Sequence, residues 1–194
     1  KPDILNPVHY PLEMIDHIPE EHRVRGYGCG SPVADARLAP GETVLDLGCG
    51  AGVECLIAAR LTGPTGRVIG LDMLPPMLAR AAKAAEGAAA RLGHANVHFL
   101  QGYLEALPLA DESVHCAISN CVLNLSGRKR RLFAEIFRVL RPGGRLQLAD
   151  QILTGQMPQS CPLDGGKSWA RYRKSPFQRG NRSRAKASAV AATQ

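Results

Sequence analysis

The 194-residue chain has no run approaching the roughly 18 consecutive apolar residues that a membrane-spanning helix needs. Lys1-Pro2-Asp3 lacks the apolar core of a secretory signal, so a soluble, cytoplasmic protein is expected. No Cys-x-x-Cys pair occurs among Cys29, Cys49, Cys55, Cys116, Cys121 and Cys161, which argues against a structural zinc site. Several of these cysteines lie in apolar runs, so free thiols in a reducing compartment fit better than a disulfide framework. Acidic residues are missing from Arg171 onward, and the seven Arg and Lys found there equal the whole net charge of +7. Such a segment could attract nucleic acid, but it lacks interleaved aromatics beyond Trp169, Tyr172 and Phe177, and no nucleic-acid partner is expected. Having no apolar period either, 170–194 reads as a basic, disordered tail.

What is present suits one core: 45% of the residues are hydrophobic and 21% charged. Residues 1–42 form a lead-in, where Pro2, Pro7, Pro11, Pro19, Pro32 and Pro40 limit helices to short pieces at 12–17 and 20–25. From Thr43 strands and helices alternate. Strands are predicted at Thr43–Leu47, Arg67–Asp72, 97–100, 113–119 and 145–150, and helices at 53–61, Pro75–Leu92 and 129–140. The fifth strand follows a Pro142-Gly143-Gly144 turn. This alternation predicts a doubly wound, mostly parallel α/β sheet over 43–169.

In such sheets ligands bind beyond the carboxyl ends of the strands, where strand order reverses. Val44-Leu45-Asp46-Leu47-Gly48-Cys49-Gly50-Ala51-Gly52 stands at the end of the first strand. Its glycines allow positive φ and close backbone approach, and the helix that follows offers free N–H groups. Asp72 ends the second strand 20 residues past Gly52, the distance at which an acid reaches ribose hydroxyls. Four basic residues, Arg128 to Arg131, read as a solvated helix face, and the six histidines show no ligand spacing.

The Val44 to Gly52 run resembles motif I of the S-adenosyl-L-methionine-dependent methyltransferases, and Arg141-Pro142-Gly143-Gly144 resembles another recurrent piece of that superfamily. The resemblance implies a Rossmann-like methyltransferase fold in which Asp46, Gly48, Gly50 and Gly52 hold the methionine moiety. Asp72 would then bind the ribose, with Met73 beside the adenine. A narrower likeness lies in Ser119-Asn120-Cys121-Val122-Leu123-Asn124-Leu125, which looks like the signature of arsenite methyltransferases. Tyr27-Gly28-Cys29-Gly30, Cys55 and Gln101-Gly102-Tyr103-Leu104-Glu105 are similar to further pieces of that family. It implies Tyr103, Leu104, Glu105 and Asn120 on the cofactor side, and Cys121, Cys55 and Cys29 as thiolate ligands of trivalent arsenic.

Those cysteines have a chemical rationale. Trivalent arsenic is thiophilic and keeps a lone pair that can attack a sulfonium methyl, so the protein must supply a soft cage rather than a general base. Cys121 at a strand end and Cys55 on the helix facing the same crevice are placed for it, whereas Cys116 and Cys49 read as packing. The expected function is arsenite methylation in a cytoplasmic arsenic-detoxification role, with a thiol reductant as partner and S-adenosylhomocysteine as product. The family also expects a cysteine after the fifth strand; Cys161 stands in unlike surroundings, and the last strands are expected to be lacking. A methyltransferase for a small organic acceptor, or a truncated non-catalytic cofactor-binding module, remain alternatives.

Overall fold

A computed structural model of the chain describes residues 10–23 and 28–150. Tyr27, Cys161 and the basic segment lie outside the described residues. Strands β1 (Thr43–Leu47), β2 (Arg67–Asp72), β3 (Val97–Gln101), β4 (Val114–Asn120) and β5 (Leu140–Ala149) form one parallel sheet in the order β3-β2-β1-β4-β5. It is the doubly wound, parallel α/β sheet that the alternation predicts.

Both faces are covered, and the strand sequences say why. Along β1, Val44 enters one hydrophobic cluster while Leu45 and Leu47 enter the other. Along β2, Val68 turns to the first cluster, and Ile69 and Leu71 to the second. Such near-continuous apolar strands need helices on both sides. Helices α4 (Val53–Thr62) and α5 (Pro75–Leu92) supply Cys55 to Ala59, Ala84 and Ala88 to the first cluster. Helix α6 (Lys129–Val139) supplies Leu132, Ile136 and Val139, one stripe at helical spacing, to the second.

Three short helices precede β1: α1 (Leu12–Ile15), α2 (Glu20–Arg23) and α3 (Pro32–Asp35). Their segment is part of the core, because Ile18, Val33 and Ala36 are buried in the first cluster. His17 is buried too, and its Nε2 donates to the Leu56 carbonyl at 2.9 Å.

Two expectations change. The fifth strand begins at Leu140, not at 145: Val114 pairs with Leu140 and Cys116 with Arg145, so residues 141–144 bulge opposite His115 alone. The basic start of α6 is not wholly a solvated face. Lys129 Nζ donates to the Leu123 and Ser126 carbonyls, and Arg131 Nε to the Glu105 carbonyl at 2.8 Å, tying α6 to the short 3-10 turn Leu123–Leu125.

Candidate active site

Strand order reverses between β1 and β4, so the loops leaving these two strands border one crevice. After β1, Gly48, Gly50 and Gly52 have φ of +75°, +53° and +85°. Side chains avoid this region, and at Gly52 a Cβ would also come 2.9 Å from the Ala81 Cβ. The loop is fastened to β2. Gly48 and Cys49 N–H groups donate to the Leu71 carbonyl at 2.8 and 2.9 Å, and Gly50 N–H to Asp72 Oδ2 at 2.9 Å. Asp72 Oδ1 accepts the Leu74 N–H at 2.9 Å, so the acid the sequence singles out also shapes the loop.

Asp46 is 4% exposed. Burial, reinforced by the nearby carboxylates of Glu54 and Asp72, pushes its carboxyl up to about 8, and the Cys55 thiol donates to its Oδ2 at 3.2 Å. Cys55 is fully buried, with its thiol pushed well up by desolvation. This corrects the expectation that it faces the open crevice: α4 is buried nearly all round from Glu54 to Ala59, and Cys55 turns to Asp46. Cys49 is buried at its side and Cys116 lies in the core, as their sequence setting suggests.

At the end of β4 the backbone of Cys121 turns to φ +57°, unusual for a residue with a side chain, and its N–H donates to the Ala149 carbonyl at 2.8 Å. The structure brings the Cys121 and Cys29 side chains, 92 positions apart, into contact, with a Cα–Cα distance of 5.8 Å. Of the three expected arsenic ligands, two therefore meet and the third stands apart on Asp46.

Asn120 accounts for that meeting. Its Oδ1 accepts the Cys29 N–H at 2.8 Å, while its Nδ2 donates to the Gly30 carbonyl at 2.7 Å and to Glu54 Oε1 at 3.0 Å. Gly28 is required here because a Cβ would overlap the Asn120 amide. Both ends of the Asn120 amide are thus engaged with the Cys29 loop and Glu54. Glu54 Oε1 also accepts the Tyr10 hydroxyl, and Oε2 the Val33 N–H at 3.0 Å. Sequence inspection misses Glu54, since an acid in a first helical turn reads as a response to the helix dipole.

Met73 and Tyr103 are exposed at the ends of β2 and β3, and Leu104 is partly buried against the second cluster. The Glu105 carboxylate is turned toward the Ser126 hydroxyl, which holds the loop after β4. Among the described residues no helix is long and apolar enough to cross a membrane, and no group of three or more His, Cys, Asp or Glu could hold a metal ion.

A parallel sheet with a glycine loop and a strand-end acid at its switch point defines a doubly wound α/β domain of the nucleoside-binding type. Comparison with known families narrows this. A family described as "Methyltransferase domain" matches residues 38–178, and the chain belongs to that family. It is similar to the arsenite methyltransferase of Halobacterium salinarum, with 49% identity over 139 residues, 72% of this chain and 34% of that protein. The arsenite methyltransferase of Aquipseudomonas alcaligenes is 44% identical over 140 residues, 71% of this chain and 40% of that protein. The crystal structure of an arsenic(III) S-adenosylmethionine methyltransferase from Chlamydomonas reinhardtii superposes with a TM-score of 0.70 at 38% identity, covering 79% of this chain and 52% of the other. The chain thus spans a third to two fifths of the length of these two curated relatives.

Proposed function

We propose that the chain is the cofactor-binding part of an S-adenosyl-L-methionine-dependent enzyme that methylates trivalent arsenic. The observation that carries this is the meeting of Cys29 and Cys121 at the carboxyl end of β4, next to the glycine loop of a methyltransferase domain. The names of the similar proteins support the same substrate.

The residues fit the cofactor. Positive-φ glycines let the loop pass close to Val122 and Ala81 where side chains would clash, and a buried acid, Asp46, stands beside the loop for a cationic group. Asp46, Gly48, Gly50 and Gly52 would hold the methionine part, Asp72 the ribose, and Met73 with Tyr103 and Leu104 the adenine side. When bound, the cofactor supplies a methyl group on a sulfonium sulfur. Cys29 and Cys121, as thiolates, hold arsenite as a soft donor pair and leave its lone pair free. Cys55 joins them as a third ligand only if its thiol leaves Asp46. Glu105 and Asn120 act indirectly, by holding the loop after β4 and the Cys29 loop. Methylation uses the arsenic lone pair and raises arsenic to the pentavalent state, so a thiol reductant is a partner. A reducing, cytoplasmic compartment keeps the pair open, and detoxification is the role that fits.

Arsenite titration of the reduced protein tests this, followed by Cys29→Ser and Cys121→Ser. Each replacement should weaken binding by about a hundredfold, a loss of roughly 3 kcal/mol. Unchanged binding in both variants would overturn the proposal.

A further inference from the structure

We infer that Glu54 is a positioning residue: through Asn120 it holds the Cys29 loop against the end of β4, so that the Cys29 and Cys121 thiols face each other. The inference rests on the reading of these two cysteines as the arsenic-binding pair.

The arrangement draws on four separate segments. Glu54 stands in the first turn of α4 and is 8% exposed. Its partners are the Tyr10 hydroxyl before α1, the Val33 N–H in α3 and the Asn120 amide at the end of β4. The Val33 N–H and the Asn120 amide donate to it and the Tyr10 hydroxyl adds a third contact, so the Glu54 carboxyl is held from three segments. Burial raises the Glu54 carboxyl, and the bonds from Tyr10, Val33 and Asn120 oppose that rise.

Asn120 carries the effect onward. Its orientation is set, because Nδ2 finds two acceptors, the Gly30 carbonyl and Glu54, and Oδ1 finds a donor, the Cys29 N–H. Cys29 itself is exposed, between the buried Gly28 and the half-buried Gly30. Its backbone is thus fixed on both sides of the thiol by one amide, which Glu54 in turn holds. Glu54 makes no bond to either sulfur.

The test measures how strongly the two thiols are held together in the full chain. Reduced protein is equilibrated in glutathione redox buffers, quenched with acid and alkylated. Peptide mass spectrometry then gives the effective concentration of Cys29 toward Cys121. Glu54→Ala should lower it by about tenfold or more and weaken arsenite binding in parallel, with S-adenosylmethionine affinity within about threefold of wild type. Asn120→Ala should do the same, and the double variant should be no worse than either single, since the two act in series. Glu54→Gln keeps one acceptor oxygen and should fall between wild type and Glu54→Ala; should Glu54→Ala not fold, as judged by lost cofactor binding, Glu54→Gln carries the test.

An effective concentration within about twofold of wild type in a folded Glu54 variant overturns the inference, as does full additivity in the double variant. Loss of effective concentration in a protein whose wild type ignores arsenite upholds the inference and sinks the substrate assignment. Measurable and equal arsenite binding by wild type and a folded Glu54→Ala, with the effective concentration also unchanged, overturns the inference and leaves the substrate assignment standing.

Discussion

Replacing Asp46 by Asn should flatten the pH dependence of stability. The Asp46 carboxyl is buried at the end of β1, receives the Cys55 thiol at 3.2 Å, and faces the negative fields of Glu54 and Asp72. Its pKa rises from 3.8 to about 8. Between these values the folded protein keeps a proton that the unfolded chain has lost, so stability falls as pH rises through the window. One proton corresponds to about 1.4 kcal/mol per pH unit, and between pH 5 and 7 the Asp46 contribution is about 2.7 kcal/mol. Burial also raises the Glu54 carboxyl and lowers the His17 imidazole, so the informative quantity is wild type minus variant. Urea unfolding at pH 5, 6 and 7 gives it directly, with wild type losing about 2 to 3 kcal/mol more than Asp46→Asn over that range. Parallel profiles would refute the buried, protonated carboxyl. A bound cationic ligand should favour the carboxylate, so binding of S-adenosylmethionine at pH 7 should release protons, seen as a dependence of the calorimetric heat on the buffer's ionisation enthalpy.

Gly52→Ala combines a φ of +85° with a Cβ 2.9 Å from Ala81, and should destabilise the protein by about 2 kcal/mol or more, lowering the melting temperature by several degrees. His17 is buried with its pKa lowered by desolvation, so the folded state refuses a proton that the unfolded chain takes up below its ordinary value of 6.5. The His17 contribution to stability should therefore decline on acidification below about pH 6.5, as read from urea midpoints of wild type minus His17→Gln at pH 5 and 7. Cys116→Ser places a hydroxyl in a fully buried strand position and should cost about 1 to 3 kcal/mol while leaving arsenite binding unchanged.

The sheet is largely legible from local pattern. β1, β2 and α5 have the bounds that periodicity marks, since each is a run of one character closed by glycine or proline. β5 is harder: Pro142-Gly143-Gly144 reads as an interruption, yet the strand pairs on both sides of it and the excess residues bulge. α3 has four residues, too few for a helical period, and only its burial against α4 reveals it. At the site, Gly48 to Gly52, Asp72, Cys29 and Cys121 announce themselves by spacing and motif. Glu54 does not, and the motif that marks Asn120 gives no sign of its contacts with Cys29 and Glu54, because these partners lie 21 to 91 positions away and no local signal records them. The facing of Cys55 is equally hidden, for a helix buried nearly all round has no polar side against which to set it.

The most direct measurement is a methylation assay with arsenite, glutathione and methyl-labelled S-adenosylmethionine on the wild-type chain and its Cys121→Ser and Cys116→Ser variants. Label should pass to arsenic with wild type and Cys116→Ser and fail to do so with Cys121→Ser. Cofactor binding without transfer to arsenic in any variant, or equal transfer by Cys121→Ser, would contradict arsenic methylation at the Cys29 and Cys121 pair.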